Sequence, residues 1–131
     1  MSQLENALDA FKNGDFIIVT DDADRENEGD LFILAAKATA EKVGFMVRHT
    51  TGILCVAMTQ DRARHLRLPL MVEENQDSKK TAFTVSVDYK VGITTGVSAA
   101  ERAKTARALA NDIAAHSDFI RPGHVFPLIA D

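Results

Sequence analysis

The chain has 131 residues, of which 46% are hydrophobic and 26% charged, with a net charge of −4 and a single cysteine. This composition predicts one globular domain in the reducing cytoplasm, and no apolar run reaches the roughly 20 residues that a membrane-spanning helix needs. The acidic balance, with one tyrosine and no tryptophan, disfavours nucleic-acid and anionic-membrane partners and suits a protein that needs divalent cations.

The N-terminal segment predicts a capped helix and then a buried strand. Ser2 and Glu5 have the spacing of a capping box, apolar residues recur at helical intervals up to Phe11, and Gly14 ends the helix. Residues 15–20, "DFIIVT", form a short apolar run rich in β-branched side chains, which is typical of a buried strand.

The rest of the chain predicts further strands and helices joined by one polar loop. The apolar run at residues 31–36 fits either a strand or a buried helix, and residues 73–80 lack apolar anchors, so we expect a mobile loop there. Residues 81–88 alternate between apolar and polar side chains, as in a strand with two different faces. The remaining predicted elements are helices at residues 40–49, 60–68 and from the Ser98 cap to about Asn111, a strand at residues 53–58, a turn at Pro122–Gly123 and a strand after that turn.

These elements favour an α+β fold with a mixed β-sheet packed with helices. Strands and helices interleave without the regular repeat of a doubly wound sheet, and no glycine-rich dinucleotide fingerprint occurs. No linker, internal repeat or low-complexity tract divides the chain, so we expect a single domain over residues 1–131.

The sequence "DDADRENEGDL" at residues 21–31 has an acid at every second position from Asp22 to Asp30, and only Arg25 offsets this charge. In an extended segment these carboxylates would share one side of the backbone and repel one another, which favours a bound cation among them. Mg²⁺ prefers such oxygen ligands and typically takes one or two protein carboxylates, whereas the spacing does not fit a calcium-binding loop. The alternative is a solvated loop in which Arg25 only pairs with its neighbours.

Three further features have both a functional and a structural interpretation. Residues 92–102, "GITTGVSAAER", place glycines and hydroxyls before a capped helix, so they fit either an anion site or a plain strand-to-helix turn. His124 follows the Pro122–Gly123 turn, as a general acid or base would, or it is structural. Cys55 lies in a predicted strand, where burial as a small apolar side chain is simpler than a thiolate, which needs a nearby cation.

Five segments, in this order along nearly the whole chain, resemble a known family: "DDADRENEGDL", "RHTTGILCVAM", "TAFTVSVD", "GITTGVSAAERAKTAR" and "DFIRPGHVFPL". The family is the 3,4-dihydroxy-2-butanone 4-phosphate synthases of riboflavin biosynthesis, to which "DRENEGD" and "RPGHVFPL" are highly specific. The resemblance implies a lyase, dependent on Mg²⁺ or Mn²⁺, that converts D-ribulose 5-phosphate to L-3,4-dihydroxy-2-butanone 4-phosphate and formate. It also implies a homodimer.

The resemblance assigns roles to the matching positions of this sequence. It implies that Glu26 is a metal ligand at the substrate site and that Arg25 contacts the sugar phosphate. It implies that Asp30 contacts substrate hydroxyls and takes part in catalysis. His124 stands where the family places an essential catalytic histidine.

The match to the family is weaker at other positions. Cys55 and Thr95 lie in segments that line the substrate pocket in relatives, and Lys79 and Lys80 stand where relatives carry a histidine-glycine pair. Relatives continue beyond Asp131 into a segment with a second metal ligand and phosphate-binding residues. We therefore expect the front part of the enzyme, with little or no turnover alone. The alternatives are a truncated, non-catalytic relative that binds metal or a phosphosugar, and a purely structural domain.

Overall fold

A computed structural model describes residues 2–131, which form four α-helices, six β-strands and two 3₁₀ turns. The helices are α1 (Gln3–Lys12), α2 (Ala40–His49), α3 (Gln60–His65) and α4 (Ala99–Leu109). The strands are β1 (Ile17–Thr20), β2 (Gly29–Phe32), β3 (Cys55–Met58), β4 (Ala82–Phe83), β5 (Val87–Tyr89) and β6 (Phe119–Ile129). The 3₁₀ turns are Ala35–Lys37 and His116–Asp118.

The longest strand, β6, organises a mixed sheet. It pairs in parallel with β3 and antiparallel with both β4 and β5. The register places Cys55 opposite Phe126 and Val87 opposite Val125, so segments that are distant in the sequence meet along β6. β1 and β2 form a separate antiparallel hairpin. The prediction of an α+β fold with a mixed sheet is therefore confirmed.

The core forms where α4 packs against α2, β5 and β6. Alanines such as Ala103 and Ala106 are buried on α4 and leave room for the neighbouring elements to approach. Full burial of a large apolar side chain contributes about 1.5–3 kcal/mol. No helix among residues 2–131 combines the length and the apolar character that crossing a membrane requires. The large apolar side chains that are fully buried include Val43, Leu66, Val87, Leu109 and Val125.

All four predicted helices form, and each begins at a side-chain cap. Ser2, Thr39, Thr59 and Ser98 each accept a hydrogen bond from the amide three residues further along the chain. These caps depend on local sequence only, which is why the sequence predicts the starts correctly. α3 is shorter than predicted because the chain turns at Arg67, whose φ is +52°.

The prediction of a buried strand at residues 15–20 is wrong in its burial. β1 forms, but Ile18 and Val19 are 72% and 48% exposed. The reason is topological, since β1 and β2 pair only with each other within residues 2–131. The run at residues 31–36 is also divided, because Phe32 ends β2 and a 3₁₀ turn starts at Ala35.

Residues 81–88 form two short strands instead of one. β4 and β5 both pair with β6, and the register of β5 shifts between Val87 and Asp88. The polar face of this segment is buried, since Thr84, Ser86 and Asp88 are 0%, 9% and 6% exposed. Polar groups in such a place need hydrogen-bond partners, and β6 supplies several of them.

The predicted turn at Pro122–Gly123 is wrong because β6 continues through both residues. Gly123 lies directly on the backbone of β5, where an added Cβ would overlap the carbonyl carbon of Val87. Its amide donates a hydrogen bond to Ser86 Oγ at 3.0 Å. The glycine therefore allows two strands to approach closely and does not reverse the chain.

Residues 73–80 form a loop without a helix or strand, as predicted. Asp77 Oδ2 accepts a hydrogen bond from the Thr81 amide at 2.9 Å, and Asn75 Nδ2 donates to the Thr81 carbonyl oxygen at 2.8 Å. The hydrogen bond from Thr81 is the main cause that lowers the pKa of Asp77. Polar groups thus anchor the loop, and its mobility stays a prediction.

Candidate active site

Residues 21–28 of the acidic segment form the loop of the β1–β2 hairpin, and only its last residues, including Asp30, are extended, in β2. Asp21 organises this loop: its Oδ2 accepts a hydrogen bond from the Glu26 amide at 2.6 Å and its Oδ1 from the Glu28 amide at 2.8 Å. The bond from Glu28 is the main cause that lowers the pKa of Asp21. Asn27, with φ of +55°, completes the loop. Because the segment is looped, the alternating acids do not crowd one side of an extended backbone, and that premise for a cation is wrong.

Arg25 and Glu26 are neighbours in this loop. Arg25 Nη1 lies 3.3 Å from Glu26 Oε1 and 3.8 Å from Asp21 Oδ2, so the guanidinium pairs with adjacent acids. The Arg25 side chain is 57% exposed and that of Glu26 is 35% exposed. Exposed ion pairs of this kind contribute only about 0–1 kcal/mol to stability. Both groups are therefore accessible to a ligand.

Glu26 offers a divalent cation one carboxylate. Within residues 2–131, no group of three or more His, Cys, Asp or Glu side chains is arranged to hold a metal ion. Mg²⁺ keeps several waters and uses one or two protein carboxylates, so a single accessible glutamate fits it, whereas a structural zinc site needs four protein ligands. Mn²⁺ accepts the same oxygen donors. The donor set thus suits a hard cation that is held partly by water or further ligands.

Asp30 and Cys55 share a cleft of about 730 Å³ between the β1–β2 hairpin, the end of α2 and β3. Glu28, His49 and Thr51 also line this cleft. Cys55 is exposed, so the expectation of a buried side chain is wrong. Desolvation by the cleft is the main cause that raises the pKa of the Cys55 thiol, and the Asp30 carboxylate adds to it. Cys55 is therefore a neutral thiol at neutral pH.

Asp88 orients His124, although the sequence does not single out Asp88. His124 Nδ1 lies 3.0 Å from Asp88 Oδ2, and the His124 amide donates to Asp88 Oδ1 at 2.8 Å. The side chains are 44% exposed for His124 and 9% for Asp88. A carboxylate at Nδ1 favours the tautomer with its proton there, which leaves Nε2 as the proton acceptor. The sequence feature that could have pointed to Asp88 is the alternation of residues 81–88, which places Asp88 on the same strand face as Thr84 and Ser86.

Glu101 fills the turn before α4. Its carboxylate accepts hydrogen bonds from the Thr94 amide, from Thr94 Oγ1 at 3.0 Å and from the Gly96 amide at 3.1 Å. The bond from the Thr94 amide is the main cause that lowers the pKa of Glu101. Glu101 therefore engages the Thr94 and Gly96 amides, and the turn capped by Ser98 is present as predicted, whereas an anion site at the other groups of this segment stays a prediction. Thr95 is exposed, and its Oγ1 accepts from the Val97 amide at 3.4 Å.

This turn lies against the histidine pair. Gly96 is buried with φ of +83°, and an added Cβ there would overlap the Asp88 carboxylate. No other residue type has both the required backbone conformation and the required space. Thr95 and His124 are therefore brought to the same part of the molecule by Asp88, which contacts both segments.

The predicted site residues fall into three groups. Within the described part of the chain, no hydrogen bond or ion pair joins the Arg25 or Glu26 side chain to the side chains of the other two groups. The groups are the hairpin loop with Arg25 and Glu26, the cleft with Asp30 and Cys55, and the turn with Thr95 beside His124.

Comparison with known proteins identifies the family. The sequence model of 3,4-dihydroxy-2-butanone 4-phosphate synthase matches residues 5–131. The chain belongs to this family. The synthase of Agrobacterium fabrum is 50% identical over 131 residues, which are 100% of this chain and 62% of the relative. That of Candida albicans is 50% identical over 127 residues, which are 97% of this chain and 62% of the relative.

A solved synthase structure agrees with this family. The crystal structure of a 3,4-dihydroxy-2-butanone 4-phosphate synthase in complex with two magnesium ions matches with a TM-score of 0.97 and 48% identity, over 100% of this chain and 61% of that one. The resemblance carried by the motifs is thus confirmed, and a non-catalytic relative is not favoured. The chain spans about three fifths of the length of these synthases.

Proposed function

We propose that this chain forms part of an enzyme that converts D-ribulose 5-phosphate to L-3,4-dihydroxy-2-butanone 4-phosphate and formate in riboflavin biosynthesis. The observation that carries the proposal is the family match over residues 5–131, which includes every motif of the site. Two geometric features support it: a buried carboxylate orients His124, and Asp30 lines a cleft together with Cys55.

Glu26 would hold the divalent cation, Mg²⁺ or Mn²⁺, which when bound stabilises negative charge that develops on the substrate oxygens. The related crystal structure with two magnesium ions supports this role. Arg25, beside Glu26, would bind the phosphate oxygens of the sugar, for which the planar guanidinium is well suited. The two accessible side chains would thus contact two different parts of the substrate, its reacting oxygens and its phosphate.

Residues of the other two groups, the cleft and the turn beside His124, would carry out the proton transfers. Ribulose 5-phosphate must lose a proton next to its carbonyl group, and further protons move as hydroxyls become carbonyls. His124 Nε2 would accept and return a proton while Asp88 holds Nδ1. Asp30 would bind substrate hydroxyls and take a proton from one of them. Thr95 would bind substrate through its hydroxyl, and Cys55 would contact it as a neutral thiol.

We also propose that the enzyme is a cytoplasmic homodimer. Ile18 and Ile53 are 72% and 64% exposed, and such apolar surface would be covered by a second copy. A single cysteine, with no possibility of an internal disulfide, supports a reducing compartment.

The test is formate release from ribulose 5-phosphate in the presence of Mg²⁺. The chain is fused at Asp131 to the C-terminal part of the Agrobacterium fabrum relative and compared with the chain alone. We expect formate from the fusion and a loss of about 10²-fold or more with Glu26→Ala or His124→Asn, because each removes a group that acts on developing charge. The control is Asp24→Asn, which changes an exposed acid of the same loop.

We expect little or no formate from the chain alone, because it would position only part of the substrate and cation. A folded fusion that binds Mg²⁺ and ribulose 5-phosphate but releases no formate would contradict the proposed reaction. Equal activity of the Glu26→Ala and unsubstituted fusions would contradict the role of Glu26.

A further inference from the structure

We propose that Glu101 is a positioning residue, which holds the turn at residues 94–96 against Asp88 and thereby fixes the His124 ring; the inference rests on the proposed proton-transfer role of His124. Glu101 itself lies on α4 and touches neither Asp88 nor His124 by a hydrogen bond within the described residues. Its effect would pass through the backbone of the turn.

The position of Glu101 requires a carboxylate. The Thr94 amide donates to Glu101 Oε2, and the Gly96 amide donates to Oε1. Both oxygens therefore act as acceptors for backbone N–H groups. A glutamine would place its NH₂ group, which is a donor, against one of these amides. An aspartate keeps two acceptor oxygens but is one methylene group shorter.

The Glu101 carboxylate does not serve as a cap of its own helix. Ser98 Oγ already accepts a hydrogen bond from the Glu101 amide at 3.1 Å. In a complete capping box the Glu side chain reaches back to the amide of the cap residue itself. Here it reaches past Ser98 to Thr94 and Gly96, so its carboxylate organises the turn that carries Thr95.

The turn at residues 94–96 packs against the carboxylate that binds the His124 ring. Gly96 is held at φ +83° with its Cα against the Asp88 carboxylate. That carboxylate accepts from both the amide and Nδ1 of His124. If the turn moves away, water reaches Asp88 and competes for its oxygens, and the ring of His124 is no longer held in one tautomer.

The experiment is an NMR measurement of the His124 ring nitrogens in the ¹⁵N-labelled 131-residue chain. The unsubstituted chain is expected to show one tautomer, with the proton on Nδ1. Glu101→Gln is expected to give a mixture of both neutral tautomers. The matched control is Glu5→Gln, because Glu5 occupies the same position after the Ser2 cap of α1 and should leave the His124 signals unchanged.

A second variant separates positioning from helix capping. Ser98→Ala weakens the cap of α4 and leaves the Glu101 carboxylate in place, so it should keep the single tautomer. Unchanged His124 signals in Glu101→Gln would overturn the proposal, as would equal changes in Ser98→Ala. If Glu101→Gln does not fold, Glu101→Asp is judged by the same criteria. The readout needs no substrate, so its outcome is independent of the formate assay.

Discussion

Neighbouring groups shift the pKa values of Cys55 and Glu101 in opposite directions. Cys55 lines a cleft with Asp30, and both desolvation and the carboxylate raise the pKa of its thiol. Glu101 accepts hydrogen bonds from the Thr94 and Gly96 amides, which lower the pKa of its carboxyl group. The thiol therefore stays neutral while the carboxylate stays charged, and each shift can be measured on its own.

Alkylation of Cys55 tests the first shift, since this is the only cysteine in the chain. Iodoacetamide at pH 8 is expected to react more slowly with Cys55 than with cysteine in a short peptide, because only the thiolate reacts. Asp30→Asn should raise the rate about two- to fivefold by removing a charge that disfavours the thiolate. Asp24→Asn should leave the rate unchanged. An unchanged or lower rate in Asp30→Asn would contradict this account.

The pH dependence of stability tests the second shift. A carboxyl group whose pKa is lower in the folded state stabilises the protein above its unfolded pKa, and this stabilisation is lost as pH falls through the folded pKa. Urea unfolding of the unsubstituted chain and of Glu101→Gln should therefore differ most near pH 7. The difference should shrink as pH falls below the ordinary glutamate value of 4.5. A difference that is constant with pH would exclude this explanation.

At the scale of secondary-structure elements, strand β6 both organises the sheet and carries a residue of the candidate site. It pairs with β3, β4 and β5, and it carries His124 next to Gly123. The contact of Gly123 with the backbone of Val87 sets the separation of β5 and β6, and hence of Asp88 and His124. Strand packing and the orientation of the histidine therefore depend on the same contact.

Gly123→Ala should strongly destabilise the chain. The added methyl group would overlap backbone atoms of Val87, which cannot rotate away, so we expect a loss of about 3 kcal/mol or more in urea unfolding. Gly44→Ala is the contrasting variant, because its Cβ would meet only Ala99 Cβ, at 3.9 Å, inside α2. That change should stabilise by about 0.5–1 kcal/mol. Equal stabilities of the two variants would contradict the proposed packing.

The helices could be predicted from the sequence because their signals are local. Each starts at a serine or threonine that bonds an amide three residues later, and Ser98 is an example. The strands are less predictable, because the burial and the continuity of a strand depend on its partners elsewhere in the chain. Ile18 has the apolar character of a buried strand but is exposed, and residues 81–88 divide where the register of β5 shifts.

The candidate site likewise contains residues that local sequence identifies and residues whose roles depend on distant partners. Arg25, Glu26 and His124 lie in motifs that are specific enough to identify from the sequence alone. Asp88 could not be assigned, because its role depends on the pairing of β5 with β6 and not on any spacing along the chain. The helix start at Ser98 is predictable from the sequence, but the destination of the Glu101 carboxylate depends on the path of the preceding turn.

At the scale of the whole molecule, the predicted site residues form three groups, and the chain spans about three fifths of its relatives' length. Within residues 2–131 no cluster of three metal-ligating side chains is present. We therefore expect the chain alone to bind a divalent cation weakly, through Glu26 and water. Weak binding at the proposed ligand Glu26 is nevertheless measurable.

Paramagnetic broadening by Mn²⁺ in the ¹⁵N-labelled chain tests most directly whether Glu26 binds the divalent cation. We expect Mn²⁺ to broaden selectively the amide signals of the hairpin loop around Glu26, and excess Mg²⁺ to reverse this. Glu26→Gln should abolish the broadening, whereas Asp24→Asn should not. Broadening that is centred elsewhere, or that is equal in the unsubstituted and Glu26→Gln chains, would contradict the claim that this loop supplies the cation ligand.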